Sequence, residues 1–397
     1  MTGPPTPDPV VLRAPRLLDG TGAPAVPEAA LLVEGGRVAY AGPAAALPEA
    51  AAGTPALDFP GATLLPGLVD AHVHLVASGG PDLAADVPGT EAERTLAAVV
   101  NARRQLEAGV TLVRDLGAPG AEAVLVGQAV EAGTVAGPRV VASGPAVTMT
   151  GGHIPYLGRV TDGVEAMRAA VRANLALGAR CIKVVATGGV LTMGVDPREP
   201  AYTQAELDAL VEEAHRLGLT VAAHAIGEGG VAAALRAGVD SVEHGMFLDE
   251  AAIELFLATG ARLSATFLAP YGILGGPNVP GWIKDRARPA AEAQARSFRA
   301  AVEAGVRTVA GTDAGTPDNP HGGVAREVAF MVEAGLDVLT AVRAATAEAA
   351  DLLGAADRGV LRRGAPADVL VVGGDVAADV VALQHPVAVF QDGRRVV

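Results

Sequence analysis

The sequence predicts an α/β protein: a (β/α)8 TIM barrel with a small β-sandwich domain formed by the N- and C-terminal segments. Three observations carry this expectation. Across the middle of the chain, short β-rich runs alternate eight times with longer stretches of helical period. Most of those stretches close on a glycine, the residue that accepts the left-handed cap. Histidine, lysine and carboxylate residues recur at the C-terminal ends of the apolar runs. The expected divisions are residues 1–63 and 357–397 for the two parts of the β-sandwich and 64–356 for the barrel.

The elements follow in order. The start, Met1-Thr-Gly-Pro-Pro-Thr-Pro, has neither the basic nor the apolar region of a signal peptide, and this Pro-rich opening is expected to be disordered. Residues 9–63 alternate short β-like runs with turns, and 29–42 carry a Gly-Gly hairpin signal. The barrel strands are expected at 64–75, 110–116, 138–147, 181–187, 220–225, 241–246, 262–268 and 307–313. Helices are expected near 91–108, 120–132, 163–178, 203–217, 227–237, 249–259, 285–305 and 322–334. Glycine caps are expected at Gly109, Gly133, Gly178, Gly218, Gly238 and Gly305. Strand, helix and cap in this repetition read as parallel βα units, and about 250 residues is the usual size of a closed barrel. An open doubly wound sheet would favour a glycine-rich dinucleotide fingerprint after the first strand, and none is present there. Residues 337–354 read as helices that lead to the last strands within 358–397.

Composition narrows the function. The chain has 397 residues and a formal net charge of −14, with no basic block. Nucleic acid and anionic membranes are therefore poor partners. No window approaches the ~18 apolar residues of a membrane span. The one cysteine, Cys181, cannot form an intramolecular disulfide. The expectation is a cytoplasmic homo-oligomer acting on a small molecule. Only two of the 30 basic residues are lysine, Lys183 and Lys284.

Strands buried on both faces should be continuously apolar. Here the first ends Asp70-Ala-His72-Val-His74, the fourth carries Lys183, the fifth ends at His224, the sixth carries Glu243-His244 and the eighth ends Thr312-Asp313. Strand residues two apart share a face, so His72 and His74 lie ~6.5 Å apart on one side, close enough to hold one cation. Four of the eight histidines fall at these strand ends. Imidazoles with an aspartate suit zinc, and in part manganese or cobalt. Burial lowers a lysine's pKa and frees its amine. That amine could add carbon dioxide to become a carbamate that bridges two cations, form a Schiff base, or enter a buried salt bridge.

These motifs resemble the amidohydrolase superfamily of metal-dependent hydrolases, and more closely its imidazolonepropionase-related, Xaa-Pro dipeptidase-like branch. The resemblance runs through Leu65-Pro-Gly-Leu-Val-Asp-Ala-His-Val-His74, Ile182-Lys-Val-Val-Ala-Thr-Gly-Gly189, Ser241-Val-Glu-His-Gly245 and Ala310-Gly-Thr-Asp-Ala-Gly315. It implies two divalent metal ions. His72, His74 and Asp313 would hold one, and His224 and His244 the other, with carboxylated Lys183 and a hydroxide between them. It also implies that Asp313 acts as base and then as acid in cleaving an amide bond of a dipeptide or N-acyl amino acid. His153 resembles the Gly-His that polarises or anchors substrate in relatives.

Tyr156, Tyr202 and His321 are further candidates for substrate contact, with Arg198, Tyr271 and Trp282 as other loop residues able to line a pocket. Glu228 and Lys284 read as surface residues. Where some dipeptidase relatives carry Tyr or His to reach a substrate carboxylate, this chain has Ile226, which weakens the case for a free dipeptide and favours an N-acyl amino acid, a cyclic amide or a less polar amide. A cyclic-amide hydrolase, a lactonase or phosphotriesterase, and a non-catalytic assembly protein on the same scaffold are the alternatives. Lys183 speaks against the first of these and the complete ligand set against the last.

Overall fold

The computed structural model describes residues 7–87 and 89–397, so nearly all of the Pro-rich start lies outside the described residues. The chain opens with β1 (Val10–Leu17), β2 (Val26–Glu34), β3 (Arg37–Pro43), β4 (Ala56–Asp58) and β5 (Ala62–Pro66). The central segment follows: β6 (Leu68–Val73), α1 (Leu83–Asp86), α2 (Glu91–Glu107), β7 (Val110–Asp115), α3 (Glu122–Glu131), β8 (Arg139–Ala142), β9 (Ala146–Thr148), β10 (Gly158–Val160) and α4 (Val164–Leu177). It continues with β11 (Cys181–Val185), α5 (Gln204–Arg216), β12 (Thr220–Ala225), α6 (Glu228–Ala237), β13 (Ser241–His244), α7 (Glu250–Thr259), β14 (Arg262–Ser264), α8 (Leu268–Gly275) and α9 (Gly281–Ala304). The last elements are α10 (Val324–Glu333), α11 (Val338–Ala344), α12 (Ala347–Leu352), β15 (Val369–Gly373), β16 (Pro386–Gln391) and β17 (Arg394–Arg395).

The two ends of the chain share one eight-stranded sheet, in which β5 pairs antiparallel with β15. Leu12, Leu31, Leu64, Val371 and Phe390, from strands spread across this sheet, meet in one buried cluster. The sheet curls over that cluster, because Val38 in β3 bonds back to Ala365 and Gly364 beside β15. The expected hairpin is present, with Gly35 and Gly36 in its turn.

The central strands form parallel sheets of six (β10-β9-β11-β12-β13-β14) and three (β6-β7-β8) strands. Residues 307–314 run between them without a regular ladder. Val309 N–H donates to Leu263 O at 3.0 Å, Ala71 N–H to Ala310 O at 2.9 Å, and Asp313 N–H to His72 O at 2.8 Å. On the other side Arg180 N–H reaches Ala142 O at 2.9 Å, and β9 pairs with β11. All six expected glycine caps have positive φ. The single thiol, Cys181, is buried beside Leu116 and Ala222, and burial pushes it up to about 12. Among the described residues no helix is long and apolar enough to cross a membrane.

Four expected strands differ from those observed, the first being 307–313, which follows the neighbouring strands through single backbone bonds and forms no regular strand. The run 64–75 is divided at Gly67, where β5 leaves the terminal sheet and β6 enters the parallel one. The run 138–147 is divided by Ser143-Gly144-Pro145 into β8 and β9. The run 262–268 stops at Ser264, because Thr266 has a φ of 56° and the chain turns into α8.

Candidate active site

His72, His74, His153, Lys183, His224, His244 and Asp313 line one cavity at the C-terminal ends of the parallel strands. The backbone bond from Asp313 to His72 sets the centre. It brings one Asp313 carboxylate oxygen to 3.2 Å from Nε2 of both His72 and His74. One donor atom from each of the three lies within 4.8 Å of the others. Asp313 has a φ of 57°, a conformation that costs energy unless its surroundings enforce it. Its carbonyl accepts hydrogen bonds from Thr316 N–H and Oγ1 and from the Asn319 amide, which hold the turn.

Each of the four strand-end imidazoles spends one nitrogen on a neighbouring oxygen and turns the other into the site, where those of His72 and His74 face Asp313. His74 Nδ1 lies 3.1 Å from Gly117 O, an acceptor only, so Nδ1 carries the proton and Nε2 has a lone pair. His224 is turned the other way. Its Nε2 donates to Gly188 O at 2.9 Å, which frees Nδ1. His244 Nδ1 donates to Thr266 Oγ1 at 2.7 Å, because that hydroxyl gives its own proton to Ala265 O. His72 Nδ1 donates to Glu243 at 3.0 Å. Carboxylates and carbonyls in this position fix the tautomer of a metal-binding histidine.

Glu243 and Arg114 join the site as a pair that the sequence pattern does not reveal. The Arg114 guanidinium lies 2.8 Å from Glu243 and also donates to Ala71 O, and both residues are fully buried. Burial alone would raise Glu243, but Arg114 and the hydrogen bond from His72 outweigh it and keep the carboxylate ionised. An arginine inside the apolar run 110–116 was the available signal, the same anomaly that marks Lys183.

The electrostatics suit cation ligands. Burial, followed by the Lys183 charge, lowers His72 to about 4 and His224 to about 3, so both are neutral near pH 7. Burial also holds His244 and His153 well below the ordinary range. It lowers His74 too, but Asp313 reverses the effect and raises that ring. Burial would raise Asp313, yet His72 and His74 keep it below its usual value. Lys183 is 1% exposed, and its Nζ has no hydrogen-bond partner among the described residues. Burial lowers this amine to about 8. A buried, unpartnered amine among four available imidazoles and a carboxylate fits a group that completes a cation site.

The remaining candidates separate. The His153 ring lies 4.9 Å from that of His224, tilted by 39°, and covers Gly189, where any side chain would overlap it. Its Nδ1 lies 2.9 Å from Thr192 Oγ1. Tyr156 is half-buried in the core beside this segment but does not line the cavity. Tyr202 is buried away from the cavity, with its hydroxyl donating to Thr161 O at 3.1 Å. His321 is also outside it: Nε2 donates to Ala77 O at 2.8 Å, and Nδ1 accepts from Gln105. Arg198 pairs with Glu228 at the surface, Lys284 donates to Gly276 O, and Tyr271 stacks on Phe330. Trp282 packs with the cluster around Ile283. Ile226 does line the cavity.

Residues 63–396 match the Amidohydrolase family. The ochratoxinase of Aspergillus niger is 33% identical over 417 residues, covering 96% of this chain and 84% of its own. The crystal structure of that enzyme superposes with a TM-score of 0.88 at 29% identity, over 98% of this chain and 95% of the other. A Xaa-Pro dipeptidase with methionine bound in its active site superposes with a TM-score of 0.91 at 30% identity, over 98% of this chain and 99% of that one. The match to the imidazolonepropionase of Cupriavidus taiwanensis is local, 52% over 63 residues, or 16% of this chain and 15% of that one. On the family match and these full-length similarities, the chain belongs to the amidohydrolase family of hydrolytic enzymes.

Proposed function

We propose that this protein cleaves a peptide-like amide bond, of Xaa-Pro or N-acyl amino acid type, with the help of two divalent cations. The observation that carries the reading is the convergence of free lone pairs from His72, His74, His224 and His244 with the Asp313 carboxylate around the unpartnered Lys183 amine. The names of the ochratoxinase and Xaa-Pro dipeptidase relatives support an amide substrate. The backbone bonds made by 307–314 and by Arg180 support a closed (β/α)8 barrel as the scaffold. The same reading divides the chain at 1–63, 64–356 and 357–397.

His72, His74 and Asp313 would hold one cation, and His224 and His244 the other, with a carbamate on Lys183 shared between them. Zinc suits this donor set best, and manganese or cobalt also fit. When bound, such cations acidify water and polarise a carbonyl. The protein's residues do the rest. The Lys183 amine forms a C–N bond to carbon dioxide and releases a proton, which its lowered pKa permits near neutrality. Asp313, ionised, takes the proton from the attacking water and passes it to the departing amine. His153, neutral and supported by Thr192, offers one N–H to the substrate.

Metal analysis of the purified protein, with assays on dipeptides and N-acyl amino acids, tests this reading. Two equivalents per chain are expected, and full activity with one or fewer would refute the pair of cations. Asp313→Asn should reduce kcat by about 100- to 10,000-fold on amides.

A further inference from the structure

The active-site cavity has two kinds of wall. Its floor is the polar centre described above. Its sides are apolar. Ile226, Met246 and Ala290 pack as one buried cluster with Phe247 against it. Ile273 and Ala287, which also line the cavity, belong to a second cluster packed against Val190 and Leu191. Ala287 and Ala290 lie three apart on α9 and present one small-residue face to the cavity. No arginine is among the lining residues, and the only lysine is Lys183.

One candidate for an anion partner is Arg286, next to the lining residue Ala287 in the chain. Its guanidinium is already committed: it donates to Gly189 O at 3.0 Å, Val190 O at 3.3 Å and Val195 O. It ties the loop after β11 to α9. The cavity beside it has a volume of about 50 Å³. The walls around the polar centre are apolar.

On this basis, and resting on the amide-hydrolase reading above, we infer that the preferred substrate is an amide of that type whose carboxyl group is masked, as a carboxamide or ester, where it meets the Ile226–Met246–Ala290 wall. A carboxylate placed there would lose its hydration and find no cation. A neutral carboxamide or hydrocarbon group would lose far less.

Matched pairs of substrates test this. Leucyl-proline and leucyl-prolinamide both release leucine. Benzoyl-phenylalanine and its N-methylamide both release benzoate. The metal-loaded protein should show kcat/KM at least about tenfold higher for the neutral member of each pair. Ile226→Arg places a cation on the wall and should narrow or reverse that ratio. Met246→Lys does the same from a neighbouring position if the first variant does not fold.

Equal or faster cleavage of the carboxylate member by the unaltered protein overturns the inference but leaves amide hydrolysis standing. A carboxylate preference that disappears in Arg286→Gln also overturns it and names Arg286 as the anion's partner. A neutral preference unchanged in folded Ile226→Arg and Met246→Lys overturns the assignment to this wall. No release from any of the four compounds by folded, metal-loaded protein overturns the amide-hydrolase reading itself.

Discussion

Glu243 sits between Arg114 and His72 with every partner buried. Glu243→Gln keeps the size and removes the charge, leaving Arg114 uncompensated in the core. Breaking a buried pair in this way costs about 3–5 kcal/mol, and losing the partner of a ligand histidine weakens metal binding by about 10–100-fold. Denaturant unfolding and chelator competition measure the two effects. For Lys183 the sign of the pH effect follows from an amine lowered from 10.5 to about 8. At fixed dissolved carbon dioxide, carbamate in metal-free protein should rise steeply with pH up to about 8, where the ammonium must lose one proton before the amine reacts and releases another, and less steeply above until the amine is fully converted, as read by carbon-13 NMR with labelled bicarbonate. A flat profile would contradict the proposed amine chemistry. At this scale the sequence exposes anomalies better than partnerships. Lys183 and the four histidines stand out because apolar strands should lack them. Glu243 is as conspicuous, but its partners lie 129 and 171 residues away in the chain. Tyr202 and His321 look available on loops, and only the folded chain reveals that Thr161, Ala77 and Gln105 already occupy them.

Among the elements, α8 supplies Ala269, Pro270 and Ile273 to the cavity. Its N-terminus is fastened by one buried carboxyl group. Glu327 on α10 accepts from Phe267 N–H at 2.7 Å and Leu268 N–H at 2.9 Å. Glu327→Gln sets an amide N–H₂ against one of those donors and should cost about 1–3 kcal/mol in thermal or denaturant unfolding. Burial raises the Glu327 carboxyl from 4.5 to about 8. Between those values the native state binds more protons than the unfolded one. The contribution of Glu327 to stability is thus fully present below about pH 4.5 and is lost as pH rises through about 8. Unfolding of Glu327→Gln should show a flatter pH dependence over that window. Helices were the most legible elements, since their glycine caps announce where they stop. Strand limits were less so. Gly67 divides an unbroken apolar run between two sheets, and no local pattern separates two buried environments. Thr266 ends a strand by adopting a backbone angle that β-branched residues rarely take.

Across the whole molecule, the C-terminus completes a sheet begun at the N-terminus. Asp392, in the turn between the last two strands, pairs with Arg139 at the start of β8 and with Arg358. Removal of residues 386–397 would strip β15 of its β16 partner and take Phe390 from the terminal cluster. The expected result is loss of the cooperative unfolding transition, and a truncated chain that melts like the full one would show that the terminal sheet is dispensable. The pairing of the two ends was legible because both are β-rich while the middle alternates. The cavity walls were not. Ile226 stands out because some relatives carry Tyr or His there, whereas Met246, Ala287 and Ala290 are indistinguishable in sequence from any other core residue.

The one cysteine gives this chain an internal clock. Cys181 lies two residues from Lys183 on β11, fully buried, with its thiol held in the unreactive protonated form. A thiol reagent can modify it only when that strand opens to solvent, so the rate of labelling counts how often the floor of the active site comes apart. Occupants that favour the folded state slow such openings by mass action. Reaction of the single sulfur, followed by mass spectrometry, thus reports the assembly of the centre without any substrate at all.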